Sequence, residues 1–217
     1  MAFTRAARRG ITAVVIGGLV VGGAVFAVQL AGAGNGGSES RPMLGQAADA
    51  AARHAQPQDA AVVAQLAYLQ KHWKNYNTAD YGVVPDNDCV DFASQSLIVR
   101  GWKMDDDWWS EGTGEEFDFS SPWVSSTSFR DYLEGSGRAS ALTDSHRDQV
   151  KLGDVVQFDW DNSGDRDHTG IVTRITGSGD DIKIYYAGHT DDTDYRSVDW
   201  AITVNHPGAS VYYWSIP

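Results

Sequence analysis

The chain has one cysteine, Cys89, in the stretch DNDCVDFASQSLIVRGW at residues 86–102. Asp88 precedes it, and Asp is a residue type that caps helices, so Cys89 is expected in the first turn of a helix that runs to Gly101. Unsatisfied backbone N–H groups and the helix dipole favour an anion at that place. A thiolate is such an anion, and it is the nucleophilic form of cysteine. The same N–H groups can face the oxyanion of a tetrahedral intermediate. Asp86, Asp88 and Asp91 work against this by disfavouring a second negative charge. The plainer reading of the stretch is a small buried residue that happens to be cysteine.

A thiol needs a base, and two of the six histidines are placed to supply one. His168 opens the strand-like run HTGIVTRIT, and His189 closes the next, IKIYYAGH. The GSGDD between them, at 177–181, has the composition of a hairpin turn. In an antiparallel hairpin the start of one strand lies beside the end of the other, so the two histidines are expected as neighbours. The constellation reads as Cys89 the nucleophile, His168 the base and His189 the group that orients the base. The same three residues could instead ligate zinc, but the usual C-x-x-C and H-E-x-x-H spacings are absent, and no metal or cofactor is expected. His54, His72, His146 and His206 fall in a linker, a helix, a polar loop and a site next to Pro207.

Two further patterns touch on function. DWDNSGDRD at 159–167 places carboxylates at alternate positions and a Gly at the sixth, like the first half of a calcium loop. The twelfth position is Gly170, inside an expected strand, so a solvated acidic turn before His168 is the reading preferred. Trp108, Trp109, Trp123 and Trp160 are candidates for a substrate groove, although most Trp residues are core. Tyr81, upstream of the cysteine, is a candidate donor to the oxyanion.

The elements that must hold these residues follow from hydrophobic period. DAAVVAQLAYLQKHWKNYN from residue 59 sets Val62, Val63, Leu66, Leu69 and Trp73 on one helical face, with Asp59 as N-cap. Residues 77–88 are loop, and 103–122 read as a polar surface insertion with embedded aromatics. VSSTSFRDYLEGSG predicts a short helix with Phe129, Tyr132 and Leu133 on one side. Strands are expected at 153–160, 168–176, 182–189, 201–206 and 211–216. Helices first and strands later predict an α+β fold with an antiparallel sheet.

The first 33 residues differ from the rest. Arg5, Arg8 and Arg9 precede a stretch from Ile11 to Ala33 without charge, and AGA at 31–33 offers a small-residue cleavage site. This predicts an export signal or an N-terminal membrane anchor at 1–33, a flexible linker at 34–58 and one domain at 59–217. Beyond that segment, 14 basic residues stand against 29 acidic ones. Such a balance excludes the cationic phosphate contacts on which nucleic-acid binding rests. A single cysteine in an exported chain also rules out an intramolecular disulfide and leaves a free thiol or a link to another chain.

DCVDFASQSL resembles the D-C-x-N-F-x-S-Q stretch of the putative amidase domain family, which is similar to the NlpC/P60 and CHAP cysteine peptidases of the papain-like superfamily. LGDVVQFDWDNSGDRDHTGIVT at 152–173, GHTDD at 188–192 and WVSSTSFRDYL at 123–133 resemble further family segments in the expected order. The resemblance covers roughly 60–217 and departs at Asp91, where Asn is more usual. It implies a papain-like NlpC/P60-type core with the cysteine at a helix N-terminus packed on the sheet. The catalytic order it implies is Cys89, His168, His189. The expected activity is cysteine-dependent hydrolysis of an amide or peptide bond outside the cell, with peptidoglycan or its peptides as substrate. The rival expectations are a non-catalytic cell-envelope binding module on the same scaffold and a thiol acyltransferase.

Overall fold

The computed structural model describes residues 59–217. The expected export segment at 1–33 and linker at 34–58 lie outside the described residues. Among the described residues no helix is long and apolar enough to cross a membrane.

Two helices come first. Helix α1 spans Ala60–His72, and the Asp59 side chain accepts from the Ala61 N–H at 3.0 Å, so the expected cap is in place. Its buried face differs from the expected one. Gln65, Leu69 and His72 point inward, whereas Val63 is half exposed. Polar partners explain the turn of the helix: Gln65 Nε2 donates to Ser96 Oγ and to the Gly153 carbonyl. Helix α2 spans Cys89–Arg100 and ends at Gly101, whose φ of 108° is the left-handed conformation that closes helices. Nine of its residues, Cys89 through Leu97, are buried. This helix is therefore the spine of the domain rather than a surface element.

The segment 103–122 is only partly the surface insertion expected. Strands β1 (Ser110–Glu111) and β2 (Asp118–Phe119) form a small hairpin, but Trp108 is wholly buried and donates its indole N–H to Ser94 Oγ at 3.1 Å. Helices α3 (Ser121–Val124) and α4 (Ser126–Ser136) follow, and α4 buries Phe129, Tyr132 and Leu133 as its pattern predicts.

The rest is a six-stranded sheet. It comprises β3 (Ser140–Thr143), β4 (Val155–Asp159), β5 (His168–Thr176), β6 (Lys183–Gly188), β7 (Thr193–Ser197) and β8 (Ser210–Ser215). The order is β3-β8-β4-β5-β6-β7, and every pair is antiparallel. The fold is thus α+β, with helices preceding an antiparallel sheet. The expected strand at 201–206 is instead helical. Short helix α5 (Val198–Trp200) runs into a π-helical turn over Ala201–Asn205. Ser197 caps it by accepting from the Trp200 N–H, and this local bond outweighs the β-branched composition of AITVN. The edge strands β3 and β7 carry polar, short sequences that give little period-2 signal.

Strand alternation sorts the core into two layers. Val155, Ile171, Ala187 and Trp214 face the helices together with Phe92, Leu97, Trp108, Trp123 and Phe129. Val156, Phe158, Val172, Ile184, Tyr186 and Tyr213 face the other way, where α5 and Ala201 cover them.

Candidate functional site

Cys89 sits at the first position of α2, facing the sheet, and is almost fully buried. Its Sγ lies 3.7 Å from Ser126 Oγ. Burial pushes the thiol pKa up, while the Ser126 hydroxyl and the backbone amides of Thr169 and Val90 pull it back by hydrogen bonding to sulfur. Asp88 adds a smaller push upward through its charge. The sulfur thus rests in a polar nest in which the Ser126 hydroxyl lies within hydrogen-bond reach and the Thr169 and Val90 amides favour the anion once it forms.

That nest has a supporting layer. Thr169 Oγ1 donates to Ser126 Oγ at 2.9 Å. Gln157 Nε2 donates to the Ser126 carbonyl at 2.8 Å and to Thr169 Oγ1 at 3.1 Å. Trp214 Nε1 then donates to Gln157 Oε1 at 2.8 Å. Ser126 is placed by the start of α4, where the Ser125 side chain caps the helix by accepting from Ser128 N–H. Thr169 and Gln157 are paired residues of β5 and β4. None of these was singled out in the sequence, because Ser, Thr and Gln carry no spacing signature.

Asp88 precedes the helix but does not cap it with its side chain. Its Oδ1 accepts from the Val84 N–H at 2.8 Å, and its Oδ2 meets His189 Nδ1 at 2.5 Å. The residue expected to cap the helix and to oppose the thiol therefore holds a buried histidine. The other nitrogen of His189, Nε2, lies 3.0 Å from the His72 carbonyl. Both partners are acceptors, so in this arrangement both nitrogens carry hydrogens, or the shared proton sits on Asp88. The ring is sandwiched, with Tyr76 stacked at 3.9 Å on one face and Phe92 at 3.7 Å on the other.

His168 is elsewhere. It pairs with Phe158 across β4–β5, on the sheet face that carries Val156, Val172 and Tyr186. Its ring lies 5.9 Å from each of the Phe158, Trp160 and Tyr186 rings. Burial, with the nearby Arg196 charge, lowers its pKa to about 4. Its electrostatic neighbours are Arg196, Asp191 and His206, not Cys89. Strand alternation is the reason: Thr169 faces α2, so the residue before it cannot. The hairpin expected between 168 and 189 does form, yet it sets His168 and His189 on opposite faces. The structure therefore brings Cys89, Asp88 and His189 to one side of the sheet and leaves His168 on the other.

The other candidates resolve as follows. Trp108 and Trp123 are core, and Trp109 and Trp160 are half-buried. Tyr81 stacks on Trp123 at 6.2 Å. Asp159, Asp161 and Asp167 bring one carboxylate oxygen each within 4.8 Å of one another. Their oxygens already accept backbone N–H bonds. Asp159 takes those of Ser163 and Gly164, Asp161 that of Ser163, and Asp167 that of Trp160. The cluster closes its own turn through these bonds.

A groove of about 260 Å³ lies on the helix side of the sheet between α1 and strands β5 to β7. Leu66, Leu69, Thr173, Ala187 and Tyr195 are among the residues lining it.

Neither curated proteins nor solved structures yield a match to this chain. The family model described as Putative amidase domain matches residues 59–214, which is most of the chain and nearly all of the described domain. The match takes in Cys89, Asp88 and His189 alike, and by it the chain belongs to the Putative amidase domain family.

Proposed function

We propose that the domain is a cysteine-dependent amide hydrolase in which the acid–base group is the buried Asp88–His189 pair. The observation that carries this reading is the 2.5 Å contact between His189 and the residue directly before Cys89, at the mouth of α2. Cys89 Sγ attacks the amide carbonyl. His189 takes the thiol proton and returns it to the leaving amine, with Asp88 orienting the ring and balancing its charge. The Val90 and Thr169 amides beside the sulfur, together with the first turn of α2, stabilise the oxyanion. Water then hydrolyses the thioester and restores the thiol. For proton transfer the His189 ring must let go of the His72 carbonyl, lose its Nε2 proton to solvent and turn that bare nitrogen to the sulfur, so the described arrangement is the resting one.

The same proposal places the enzyme outside the cell, acting on peptidoglycan or its peptides. Its support is the basic-then-apolar N-terminus, the acidic remainder and the solitary cysteine. Incubation of the protein with purified peptidoglycan, followed by mass spectrometry of released fragments, tests it. Release of new amino termini or free carboxylates that vanishes in Cys89→Ala supports the reading. Undiminished release from Cys89→Ala ends the cysteine mechanism.

A second reading has one observation in its favour. Cys89 is only 2% exposed and its thiol is pushed up by burial, as for an inert core cysteine. On that reading the scaffold binds envelope material without cutting it. Co-sedimentation with peptidoglycan in the absence of any fragment release would select it.

A further inference from the structure

Asp91 is the charged residue hardest to explain. It lies one turn beyond Asp88 on α2, facing inward, with no exposed surface. Its Oδ1 accepts from Trp123 Nε1 at 2.6 Å. Its Oδ2 is buried and has no hydrogen-bond partner among the described residues while the group is taken as ionised. A bare carboxylate oxygen at such a place costs several kcal/mol by roughly any account of charge burial. The acidic group that bears on it is Asp88, whose Oδ1 accepts from Val84 N–H and whose Oδ2 meets His189 Nδ1.

We propose that Asp91 stands as a neutral carboxylic acid whose hydroxyl is donated to Asp88, so that one proton is held between two buried carboxyls beneath His189. The proton removes both difficulties at once. It gives the orphaned oxygen a partner, and it removes one of two like charges that cannot both stay ionised at close range. Asp88 then remains the single carboxylate, with Val84 N–H, Asp91 and His189 all donating to it. Asp91 is a positioning residue: it acts on Cys89 through Asp88 and His189, and this role rests on the reading of the site as an amide hydrolase.

The groups around Asp91 agree. Tyr68 from α1 and Tyr81 from the following loop face it as neutral phenols, each pushed up chiefly by burial. Cys89 on its own helix is a thiol pushed up by burial. Trp123 from α3 is its uncharged hydrogen-bond donor, and Gln95 from α2 is an uncharged neighbour. The His189 imidazole reaches the cluster only through Asp88. Burial first, and the Asp88 charge second, raise the Asp91 pKa to about 8, with Gln95 and Trp123 pulling the other way. Because the folded value lies above the unfolded one, the stability Asp91 confers is complete at low pH and is lost as pH rises through about 8.

The test needs no substrate, so its failure is separate from failure of the hydrolase reading. In the full-length protein, infrared spectra with isotope-labelled aspartate should show a protonated carboxyl band at about pH 6, where free Asp, with a pKa of about 3.9, is ionised. That band should fade across about pH 8 and be missing in Asp91→Asn. The melting temperature of Asp91→Asn relative to wild type should climb from about pH 5 to about pH 9, since the amide keeps a donor at every pH. Asp91→Leu, which supplies no donor, should shift the His189 ring nitrogen signals in NMR, whereas Asp91→Asn should leave them in place. A pH-independent difference in melting temperature, or a wild-type spectrum without the band, overturns the proposal.

Discussion

His168 opens β5 and His189 directly follows its antiparallel neighbour β6, yet the two stand on opposite faces of one sheet. Their separation follows from position parity. Ile171 pairs with Ala187, so two residues further on Thr169 meets His189, and His168 is left one step out of phase. A Cβ on Gly188 would lie 3.2 Å from His168 Nε2, which places that ring under the residue before His189 rather than beside His189 itself.

From this parity the two histidines should behave differently on substitution. His189→Asn is expected to lower kcat by about 10²-fold or more, the usual worth of a general base. His168→Gln should lower stability and leave kcat per folded molecule near wild type. Initial rates on a released-amine assay, normalised to folded protein by circular dichroism, decide it. Loss confined to His168→Gln would return the base role to that residue.

The thiol should be slow to react. Burial raises its pKa, so iodoacetamide labelling at neutral pH should lag far behind a free cysteine, whose pKa is about 8.5. The rate should rise steeply in alkali. Ser126→Ala removes the hydroxyl bond that favours the thiolate and should slow labelling further at any fixed pH. Fast, pH-independent labelling at neutrality would contradict the closed nest around Cys89.

His168 should write its own pH dependence on stability. Its folded pKa of about 4 lies below the ordinary value of 6.5, so the folded state binds the proton less well than the unfolded chain. Its contribution is complete above about 6.5 and is lost as pH falls toward about 4. His168→Phe keeps a ring among Phe158, Trp160 and Tyr186 and cannot titrate. The stability difference between wild type and this variant, from urea melts, should move against wild type across that window and level off below it. A constant difference would mean that His168 is not buried neutral.

Much of the frame is legible in the sequence. The 3.6-residue period at 59–73, the Asp59 cap and the glycine stop at 101 fix two helices, because they are local features. The β5–β6 hairpin was equally local. Cys89 at a helix start followed from a single capping residue, though the side chain of Asp88 turned out to serve His189 instead. What could not be read is which face each histidine takes. That depends on a register set by contacts between β4, β5 and β6, and a one-residue shift reverses every side chain. Ser126, Thr169 and Gln157 were invisible for a related reason: they are ordinary polar residues whose meaning comes from three distant segments meeting. In the sequence Asp91 reads as an added charge near the thiol, since a sequence does not reveal that a carboxyl lacks a partner. The strand expected at 201–206 failed where a side-chain cap at Ser197 competed with β-branched composition.

The stacked trio Tyr76–His189–Phe92 sets a condition on turnover. One imidazole ring pins the loop after α1, the second turn of α2 and the end of β6 in a single column. Swinging that ring toward the sulfur means sliding it out from between two aromatic plates, so each proton transfer is tied to loosening of the loop. Enzyme speed and local breathing of residues 73–88 would then share one barrier, and solvents that soften the loop should quicken the reaction before they unfold the domain.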